Sequence, residues 1–250
     1  MTKLSVITIN YNNRQGLERT IRSVAGQTFT DLEYIVVDGA STDGSVDLIK
    51  SNDEYISNWV SEKDSGIYNA QNKGIALAKG EFCLFLNSGD VLSDKNVLQK
   101  VFHSNNAEDL LYGDLLVDWG NGKVTRKKAE KRIGIFEMYR DTVWHPCTFI
   151  KRSLFQKFGN YDEHFRLIAD YEFFFRVIVK ENVSMKYFPF AISLFSHDGA
   201  SAASSNVDQI KEEKKQVWKK YLSSAEIAQL EGRLKKRNGS LFQRIKNKLG

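Results

Sequence analysis

The first hundred residues alternate between short apolar runs and segments with the spacing of helices. The apolar runs lie at 4–9, 34–37, 58–60 and 82–86, and the helical segments at 17–25, 45–50 and 66–78. Continuous apolar strands that are separated by helices are typical of a parallel sheet covered on both faces. The alternation therefore predicts an α/β fold with a mostly parallel sheet flanked by helices.

Polar residues follow each of these predicted strands. They lie at 10–13, 38–43, 61–64 and 87–90. In open parallel sheets, ligands bind beyond the carboxyl ends of the strands. The sequence therefore predicts a binding cleft along one edge of the sheet.

The second half of the chain has less regular periodicity. It predicts a hairpin of 110–118 and 123–127 around an Asn-Gly turn, strands at 148–150 and 184–188, a helix at 169–180, and helices from Val207 onward. We divide the chain into a domain at 1–205, with halves at 1–100 and 101–205, and a basic, amphipathic, helical tail at 206–250.

The charge of the chain is concentrated in this tail. Residues 206–250 carry nine Lys and three Arg against five Asp or Glu, a surplus of seven positive charges, so with a total of +5 the remaining residues carry −2. Apolar residues recur among these cations at helical spacing: Ile227, Leu230, Leu234, Leu241, Phe242, Ile245 and Leu249. One hypothesis is an interfacial helix that docks on anionic lipid. A helix packed on its own domain, or a dimer contact, is the equally weighted alternative, and nucleic-acid binding is disfavoured because no recognition module is present.

Composition limits the other classes of protein. The chain has no signal-peptide layout and no apolar run near the roughly 18 residues of a membrane span. Cys83 and Cys147 are isolated in apolar contexts, which indicates reduced core residues rather than a disulfide or zinc site. We expect a cytoplasmic protein that can lie peripherally at the inner face of the cytoplasmic membrane.

Asp38 ends the second predicted strand, where its carboxylate could accept a hydrogen bond from the N3–H of uracil. Thr8, Asn10 and Asn12, at the end of the first strand, could line the same pocket. The competing interpretation is that Asp38 and its neighbours only cap the following helix, since Asp and Ser favour that position.

Residues 87–90 follow a fully apolar strand and read Asn-Ser-Gly-Asp. A carboxylate here, completed by phosphate and water oxygens, suits Mg²⁺ or Mn²⁺ beside a diphosphate. The competing interpretation is a polar turn before the next helix.

Asp170 begins a helix that is apolar nearly all round, and is therefore expected to be buried. A carboxylate in this place is an N-cap, a catalytic base or both. Glu172, two residues on, is the competing candidate for the base.

Several other chemistries lack their sequence signatures. The chain has no Gly-x-Gly-x-x-Gly after its first strand, no Walker sequence and no Gly-x-Ser-x-Gly. Its four histidines are dispersed without zinc-site spacing. Dehydrogenase, P-loop, serine-hydrolase and zinc-enzyme chemistry are therefore poorly supported.

Five motifs, in order along residues 4–200, resemble those of family 2 glycosyltransferases of the GT-A fold, in the branch that makes bacterial surface polysaccharides. They are Val6–Asn12, Val36–Gly44, Ser61–Gly74, Gly80–Asp90 and His145–Glu172. The resemblance implies an inverting transfer of one sugar from a nucleoside-diphosphate sugar, with UDP the expected carrier, to a glycan or lipid-linked acceptor.

The resemblance makes 1–205 the catalytic domain, with 1–100 the expected nucleotide-binding half and 101–205 the acceptor and catalytic half. It also implies roles for individual residues. Asp170 matches the catalytic base, and Asp38 the nucleobase reader. The residues expected to border the nucleotide and sugar are Thr8, Asn10, Asn12, Asp64, Asn72, Lys73, Asn87, Ser88 and Asp90.

The chain departs from the family's Asp-x-Asp metal motif, because Asn87 and Gly89 occupy those two places. Asp90 is therefore the expected metal ligand, with His197 a second candidate, and dependence on Mg²⁺ or Mn²⁺ is expected to be weak or altered. The Gln-x-x-Arg-Trp sequence of processive synthases is absent, which favours addition of a single sugar.

Two other functions stay open at this stage. A nucleotide-sugar-binding protein that has lost catalysis would fit the degenerate metal motif. A sugar nucleotidyltransferase would need a Gly-rich, basic loop after the first strand, whereas Tyr11-Asn12-Asn13-Arg14 stands there.

Overall fold

The computed structural model describes residues 2–196 and 206–249, with side chains up to residue 237. The strands are β1 (Leu4–Asn10), β2 (Leu32–Asp38), β3 (Asn58–Ser61), β4 (Phe82–Phe85), β5 (Val91–Leu92), β6 (Leu110–Asp118), β7 (Val124–Lys127), β8 (Thr148–Lys151) and β9 (Met185–Ser196). The helices are α1 (Arg14–Ala25), α2 (Ser45–Lys50), α3 (Ile67–Leu77), α4 (Val97–Phe102), α5 (Ile135–Arg140), α6 (Ser153–Phe158), α7 (Ala169–Phe175), α8 (Val207–Tyr221) and α9 (Ser224–Leu249).

The strands form one mixed sheet in the order β3-β2-β1-β4-β8-β6-β9-β5, with β7 paired to β6. Strands β1 to β4 are parallel to one another, and both β4 and β6 are antiparallel to the β8 strand that lies between them. Because β9 is parallel to β6, the carboxyl ends of β1 to β4, β6 and β9 all lie at the same edge of the sheet. This confirms the predicted mostly parallel sheet. The exceptions, β5, β7 and β8, are short strands in the middle of the chain.

Both faces of the sheet are covered, as the continuous apolar runs predicted. Side chains of β1 alternate between two buried clusters, because successive residues of a strand point to opposite faces. Leu4 and Val6 pack with α1, whereas Ile7 and Ile9 pack with α3 and α7. Both cysteines are buried and free, which confirms the prediction for them.

Helix α3 approaches β1 at a distance that only glycine allows. A Cβ atom added to Gly74 would lie 2.4 Å from Cγ2 of Ile7, well inside van der Waals contact. This contact fixes which face of α3 is turned towards the sheet. It therefore also decides which α3 side chains reach the edge where the strands end.

The second half contains the predicted elements together with two helices that were not predicted, α5 and α6, and two of the predicted elements differ from their expected form. The helix predicted for 169–180 is α-helical to Phe175 and then widens into a π-helical turn at Arg176–Lys180. The strand predicted for 184–188 continues to Ser196 as β9, alongside β6, so that Ser196 pairs with Asp118. The predicted β6–β7 hairpin is present, with Gly120 and Gly122 at positive φ in its turn.

The C-terminal helices pack against the rest of the chain. Leu230 is buried in the cluster that contains Ile7, and Ile227 and Leu234 lie partly buried against the same cluster. For this part of the predicted tail, the structure favours packing on the domain over an apolar face turned to lipid. The remaining apolar positions of the tail, from Leu241 onward, lie beyond the described side chains. No helix in the described residues has both the length and the apolarity that a bilayer span requires.

Candidate active site

A cleft of about 1070 Å³ lies at the edge of the sheet where the parallel strands end. Its size and position match the ligand sites of open α/β sheets. The ends of β1 and β9 line it, as do the segments that follow β1, β2, β3 and β4 and the N-terminal parts of α1, α3 and α7. Of the predicted site residues, six line the cleft: Asn10, Asp64, Asn87, Ser88, Asp90 and Asp170.

Asp170 lies in the first turn of α7 and lines the cleft. The Tyr68 hydroxyl and the backbone N–H of Tyr171 donate to its Oδ1 at 2.7 and 2.9 Å. Its Oδ2 lies 3.1 Å from Nδ1 of His145. These contacts hold the carboxylate in place, and because 16% of the side chain is exposed, it still reaches the cleft.

The surroundings of Asp170 keep its carboxylate ionised. Burial raises the pKa of Asp170, but the hydrogen bond and positive charge of His145, with the Tyr68 hydroxyl, outweigh burial and leave the pKa below its usual value. Burial lowers the pKa of His145, but Asp170 and, more weakly, Asp90 outweigh it and leave that pKa raised. Both directions favour an imidazolium–carboxylate pair beside the cleft.

The competing candidate, Glu172, is turned away from the cleft. Its carboxylate is fully buried and pairs with Arg176 at 3.1 Å and Lys220 at 3.0 Å. It also accepts a hydrogen bond from the Tyr221 hydroxyl. Glu172 thus joins α7 to α8, and Asp170 is the member of the two that can meet a ligand in the cleft.

Asp90 is nearly fully buried at the end of the segment that follows β4. Burial raises its pKa to about 6, although the charge of His145 and backbone N–H groups partly offset the effect. Asn87 contacts both Asp90 and His145. Its backbone N–H donates to the Asp90 carboxylate, and its side-chain Nδ2 lies 3.4 Å from Nε2 of His145. The segment between Asn87 and Asp90 includes Gly89, which has a φ of +111°.

The described residues contain no group of three His, Cys, Asp or Glu side chains that could hold a metal ion by themselves. Asp90 contributes one carboxylate to the cleft. The second predicted ligand, His197, lies outside the described residues. Any cation here would therefore need most of its ligands from a bound diphosphate and from water, an arrangement that Mg²⁺ tolerates.

Asn10 and Asp38 are joined at the ends of β1 and β2, but only Asn10 lines the cleft. Nδ2 of Asn10 donates to Asp38 at 2.8 Å, while the buried Oδ1 of Asn10 has no hydrogen-bond partner in the described structure. Both carboxylate oxygens of Asp38 already accept hydrogen bonds, from Asn10, Ser41 and Ser61. Asp38 could contact a base only by giving up one of these bonds, whereas Asn10 has a free acceptor.

Four further predicted residues do not line the cleft. Thr8 is buried and accepts a hydrogen bond from the Tyr34 hydroxyl at 3.0 Å. Asn12, at a φ of +47°, accepts one from the backbone N–H of Thr42.

The other two lie on α3. Asn72 donates to the Tyr161 carbonyl oxygen at 3.0 Å and to the Glu163 carboxylate at 2.8 Å, so its amide is engaged outside the cleft. Lys73 pairs with Asp64 at 2.6 Å and therefore acts on the cleft through that carboxylate. Their predicted roles as direct ligands stay predictions.

Several cleft residues received no role from the sequence, among them Tyr11, Arg19, Tyr68, Gln71 and His145. Of these five, all except Arg19 lie inside the motifs that carry the family resemblance, so the motifs were the available signal. Gln71 has a buried Oε1 without a partner, as Asn10 has. Tyr11 exposes 70% of its surface at the cleft, and Arg19 forms no ion pair with any described carboxylate.

Comparison with known proteins identifies relatives along most of the chain. Residues 5–178 match the sequence model of Glycosyl transferase family 2. An uncharacterized glycosyltransferase from Mycobacterium tuberculosis (strain CDC 1551 / Oshkosh) is 33% identical over 192 residues, which is 73% of this chain and 72% of that protein. A PGL/p-HBAD biosynthesis glycosyltransferase from Mycobacterium bovis (strain BCG / Pasteur 1173P2) is 27% identical over 205 residues, 78% of this chain and 77% of that protein.

Solved structures share the fold. Staphylococcus aureus TarS superposes with a TM-score of 0.64 at 20% identity, covering 78% of this chain and 60% of the TarS fragment. The TarS fragment in complex with UDP-GlcNAc superposes with a TM-score of 0.61 at 18% identity, covering 81% of this chain and 61% of the fragment. The TM-score is 0.60, at 16% identity, for the mannosyltransferase PcManGT from Pyrobaculum calidifontis in complex with GDP-Man and Mn²⁺. The match covers 77% of this chain and 56% of PcManGT.

The predicted GT-A-type architecture is thereby confirmed. The matched span from residue 5 to residue 178 begins in β1 and includes every described segment of the cleft except the end of β9. This chain is a glycosyltransferase and belongs to Glycosyl transferase family 2.

Proposed function

We propose that this enzyme transfers a single sugar, with inversion, from a UDP-linked sugar to an acceptor hydroxyl in the synthesis of a bacterial polysaccharide or lipid-linked glycan. The observation that carries the proposal is Asp170. It is a carboxylate that lines the cleft, and His145 and Tyr68 keep it ionised and fixed in position.

In this mechanism Asp170 is the general base. The acceptor hydroxyl lies against the Asp170 carboxylate, and its oxygen attacks the anomeric carbon on the face opposite the diphosphate. The new C–O bond forms as the bond from the anomeric carbon to the phosphate oxygen breaks. The hydroxyl proton passes to Asp170, and the nucleoside diphosphate leaves with the bonding electron pair.

The nucleotide binds, in this proposal, at the ends of β1 and β2. The exposed Tyr11 ring offers an apolar face on which a base can stack. The Oδ1 of Asn10 is unpaired and buried, and it would accept the imide N–H of uracil if the side chain turned towards the cleft. TarS, a structural neighbour, has been solved with UDP and with UDP-GlcNAc, which supports a uridine carrier.

Two groups can offset the charge of the departing diphosphate. Arg19 lines the cleft beside Gly89, with Nη2 3.9 Å from where a Cβ on that glycine would lie. A Mg²⁺ or Mn²⁺ ion, held by Asp90 and the diphosphate, would supply further electrostatic stabilisation to the leaving group. The Mn²⁺ in the PcManGT complex supports a divalent ion for the family fold.

The test is turnover of Asp170→Asn with a panel of nucleotide sugars. We expect loss of both transfer and slow donor hydrolysis by a factor of about 10²–10⁴, with nucleotide binding retained. Asp94→Asn, which alters an aspartate outside the cleft, is the matched control and should keep its activity.

Wild-type rates in Asp170→Asn would eliminate Asp170 as the base. A wild-type protein that binds nucleotide sugars but never consumes them would instead support a binding protein. The anomeric configuration of the product, read by NMR, tests inversion independently.

A further inference from the structure

The β6–β7 hairpin and the segment after it form a cationic projection, here called the basic hairpin and defined as residues 118–132. It contains six basic residues and two acidic ones. Five of the cations are exposed and make no ion pair with any carboxylate in the described chain: Lys123, Lys127, Lys128, Lys131 and Arg132.

The acidic groups of the basic hairpin are already engaged. Glu130 pairs with Arg140 at 2.6 Å, and the Asp118 side chain accepts the backbone N–H of Gly120. The sixth cation, Arg126, is held by the buried Asp114. The five exposed cations therefore give this surface a net positive charge that the hairpin itself does not neutralise.

Apolar side chains are exposed among these cations. Trp119 and Val124 flank the turn, and they expose 39% and 52% of their surface. The indole N–H of Trp119 donates to Thr125 across the hairpin at 2.9 Å, which holds the ring in place. A tryptophan and a valine set among lysines match the composition of surfaces that lie in a membrane interface.

The basic hairpin also has a defined position relative to the cleft. Asp118 pairs with Ser196, and Ser196 lines the cleft. Because β6 ends at the same edge of the sheet as β1 and β2, the turn projects from the rim of the active site. A surface bound there would bring its own hydroxyl-bearing molecules close to the cleft.

We propose that the basic hairpin docks this enzyme on an anionic lipid surface. The cations bind the headgroups, while Trp119 and Val124 enter the interface. A soluble polyanion would be recognised by the cations alone, whereas a lipid interface also takes up the exposed surface of Trp119 and Val124, so a lipid surface is the occupant that the observations favour. The proposal goes beyond sugar transfer and does not depend on turnover.

The test is flotation of the full-length chain with vesicles of phosphatidylcholine containing about 30% phosphatidylglycerol. The informative variant is Lys127→Glu/Lys128→Glu/Lys131→Glu. Each charge removed near an anionic surface should weaken binding roughly fivefold, so we expect at least a hundredfold loss. Trp119→Ser/Val124→Ser should weaken vesicle binding at high salt. Under these conditions salt screens the attraction between the lysines and the headgroups, so that binding depends mainly on the apolar side chains.

The matched control carries the same charge change on α8, as Lys211→Glu/Lys215→Glu/Lys219→Glu. These lysines are exposed and lie outside the basic hairpin. The proposal requires that this control keeps most of its binding and that Asp170→Asn floats like the wild type. All variants alter exposed side chains or a cleft carboxylate, and an unchanged unfolding midpoint should confirm that they fold.

Three results would overturn the proposal. The first is a wild-type chain that does not float with anionic vesicles. The second is equal loss in the hairpin and α8 variants, or greater loss in the α8 variant, which would make net charge or the C-terminal helices responsible. The third is binding to soluble polyphosphate without binding to vesicles, which would make the ligand a free polyanion.

Discussion

His145 is the residue that makes Asp170 an effective base in the proposed mechanism. Its imidazole contacts the Asp170 carboxylate through Nδ1, and Asn87 lies at its other nitrogen. Burial raises the pKa of Asp170, and His145 is the largest of the influences that lower it, so removal of His145 would raise the pKa above its present value. His145 therefore positions the carboxylate and keeps it ionised.

We expect His145→Ala to lower the rate about 10- to 100-fold near neutral pH. The acid limb of the pH–rate profile should move to higher pH, because a carboxylate with a raised pKa ionises later. The measurement is kcat against pH for the variant and the wild type. If the variant loses as much activity as Asp170→Asn at every pH, His145 itself is the base and Asp170 only orients it.

Asp90 is a buried carboxylate, and its ionisation lowers the free energy of unfolding. Burial raises its pKa from 3.8 to about 6 in the folded protein. The folded state therefore binds more protons than the unfolded state between these values, and the stability contributed by Asp90 falls as pH rises through this range. Above about pH 6 the cost reaches roughly 3 kcal/mol.

Asp90→Asn should consequently increase the free energy of unfolding at about pH 7.5 by up to roughly 3 kcal/mol. It should also flatten the pH dependence of stability between about pH 4 and pH 7. Urea denaturation in the presence of a chelator measures both effects. A variant that is less stable than the wild type at neutral pH would show that Asp90 is stabilised by contacts that outweigh its burial.

The sequence predicted the location of the cleft, because the carboxyl ends of parallel strands lie at one edge of the sheet and bring the polar residues that follow them together. It could not predict which side chains of a motif face inward. On α3, Gln71 lies three residues before Gly74 and shares its face, whereas Asn72 and Lys73 point elsewhere. The rotation of α3 about its own axis depends on the contact of Gly74 with Ile7. These two residues are far apart in the sequence, so no local pattern encodes the contact.

At the scale of the element, this contact controls the active site. Helix α3 carries Tyr68, which donates to Asp170, and Gln71, which lines the cleft. Both positions depend on how closely α3 packs on β1. The glycine at position 74 is therefore a structural requirement of the site as well as of the core.

We expect Gly74→Ala to displace α3 from β1 and cost about 1–3 kcal/mol of stability, because the new methyl group would overlap Ile7. Activity should fall further than stability alone explains, since Tyr68 would move away from Asp170. Denaturant midpoints and kcat measure the two effects. Gly232→Ala, where a Cβ meets nothing within 4 Å, is the matched control and should be neutral or slightly stabilising.

The mixed second half of the sheet was harder to predict than the first. Strands β5 and β8 are short, and they pair with strands far away in the sequence, β5 with β9 and β8 with β4 and β6. The π-helical turn after α7 carries no local signal either. Helical periodicity continues through Arg176–Lys180, so the sequence predicted one uninterrupted helix.

At the scale of the whole molecule, the C-terminal helices belong to the same core as the sheet. Val217, Leu222 and Leu230 are buried in the cluster that contains Ile7 and Phe173. The fully buried Glu172 is neutralised in part by Lys220 of α8. A boundary drawn at residue 205 on the basis of charge therefore runs through a continuous packing unit.

Removing residues 206–250 should accordingly prevent stable folding. The three buried side chains contribute about 2 kcal/mol each, or roughly 6 kcal/mol in all. That sum is comparable with the 5–15 kcal/mol that stabilises a typical domain. The shortened chain would also leave Glu172 as a buried charge without Lys220, which adds a further cost of several kcal/mol.

Urea denaturation followed by near-UV and far-UV circular dichroism tests this expectation. The full chain should unfold in one transition that both signals share, and the chain ending at residue 205 should show no cooperative transition. A shortened chain that unfolds cooperatively and still binds a nucleotide would restore the division into a catalytic domain and an independent tail. For the same reason, membrane binding has to be tested on full-length variants, since a chain cut after Tyr221 would lose Leu222 and Leu230 from its core.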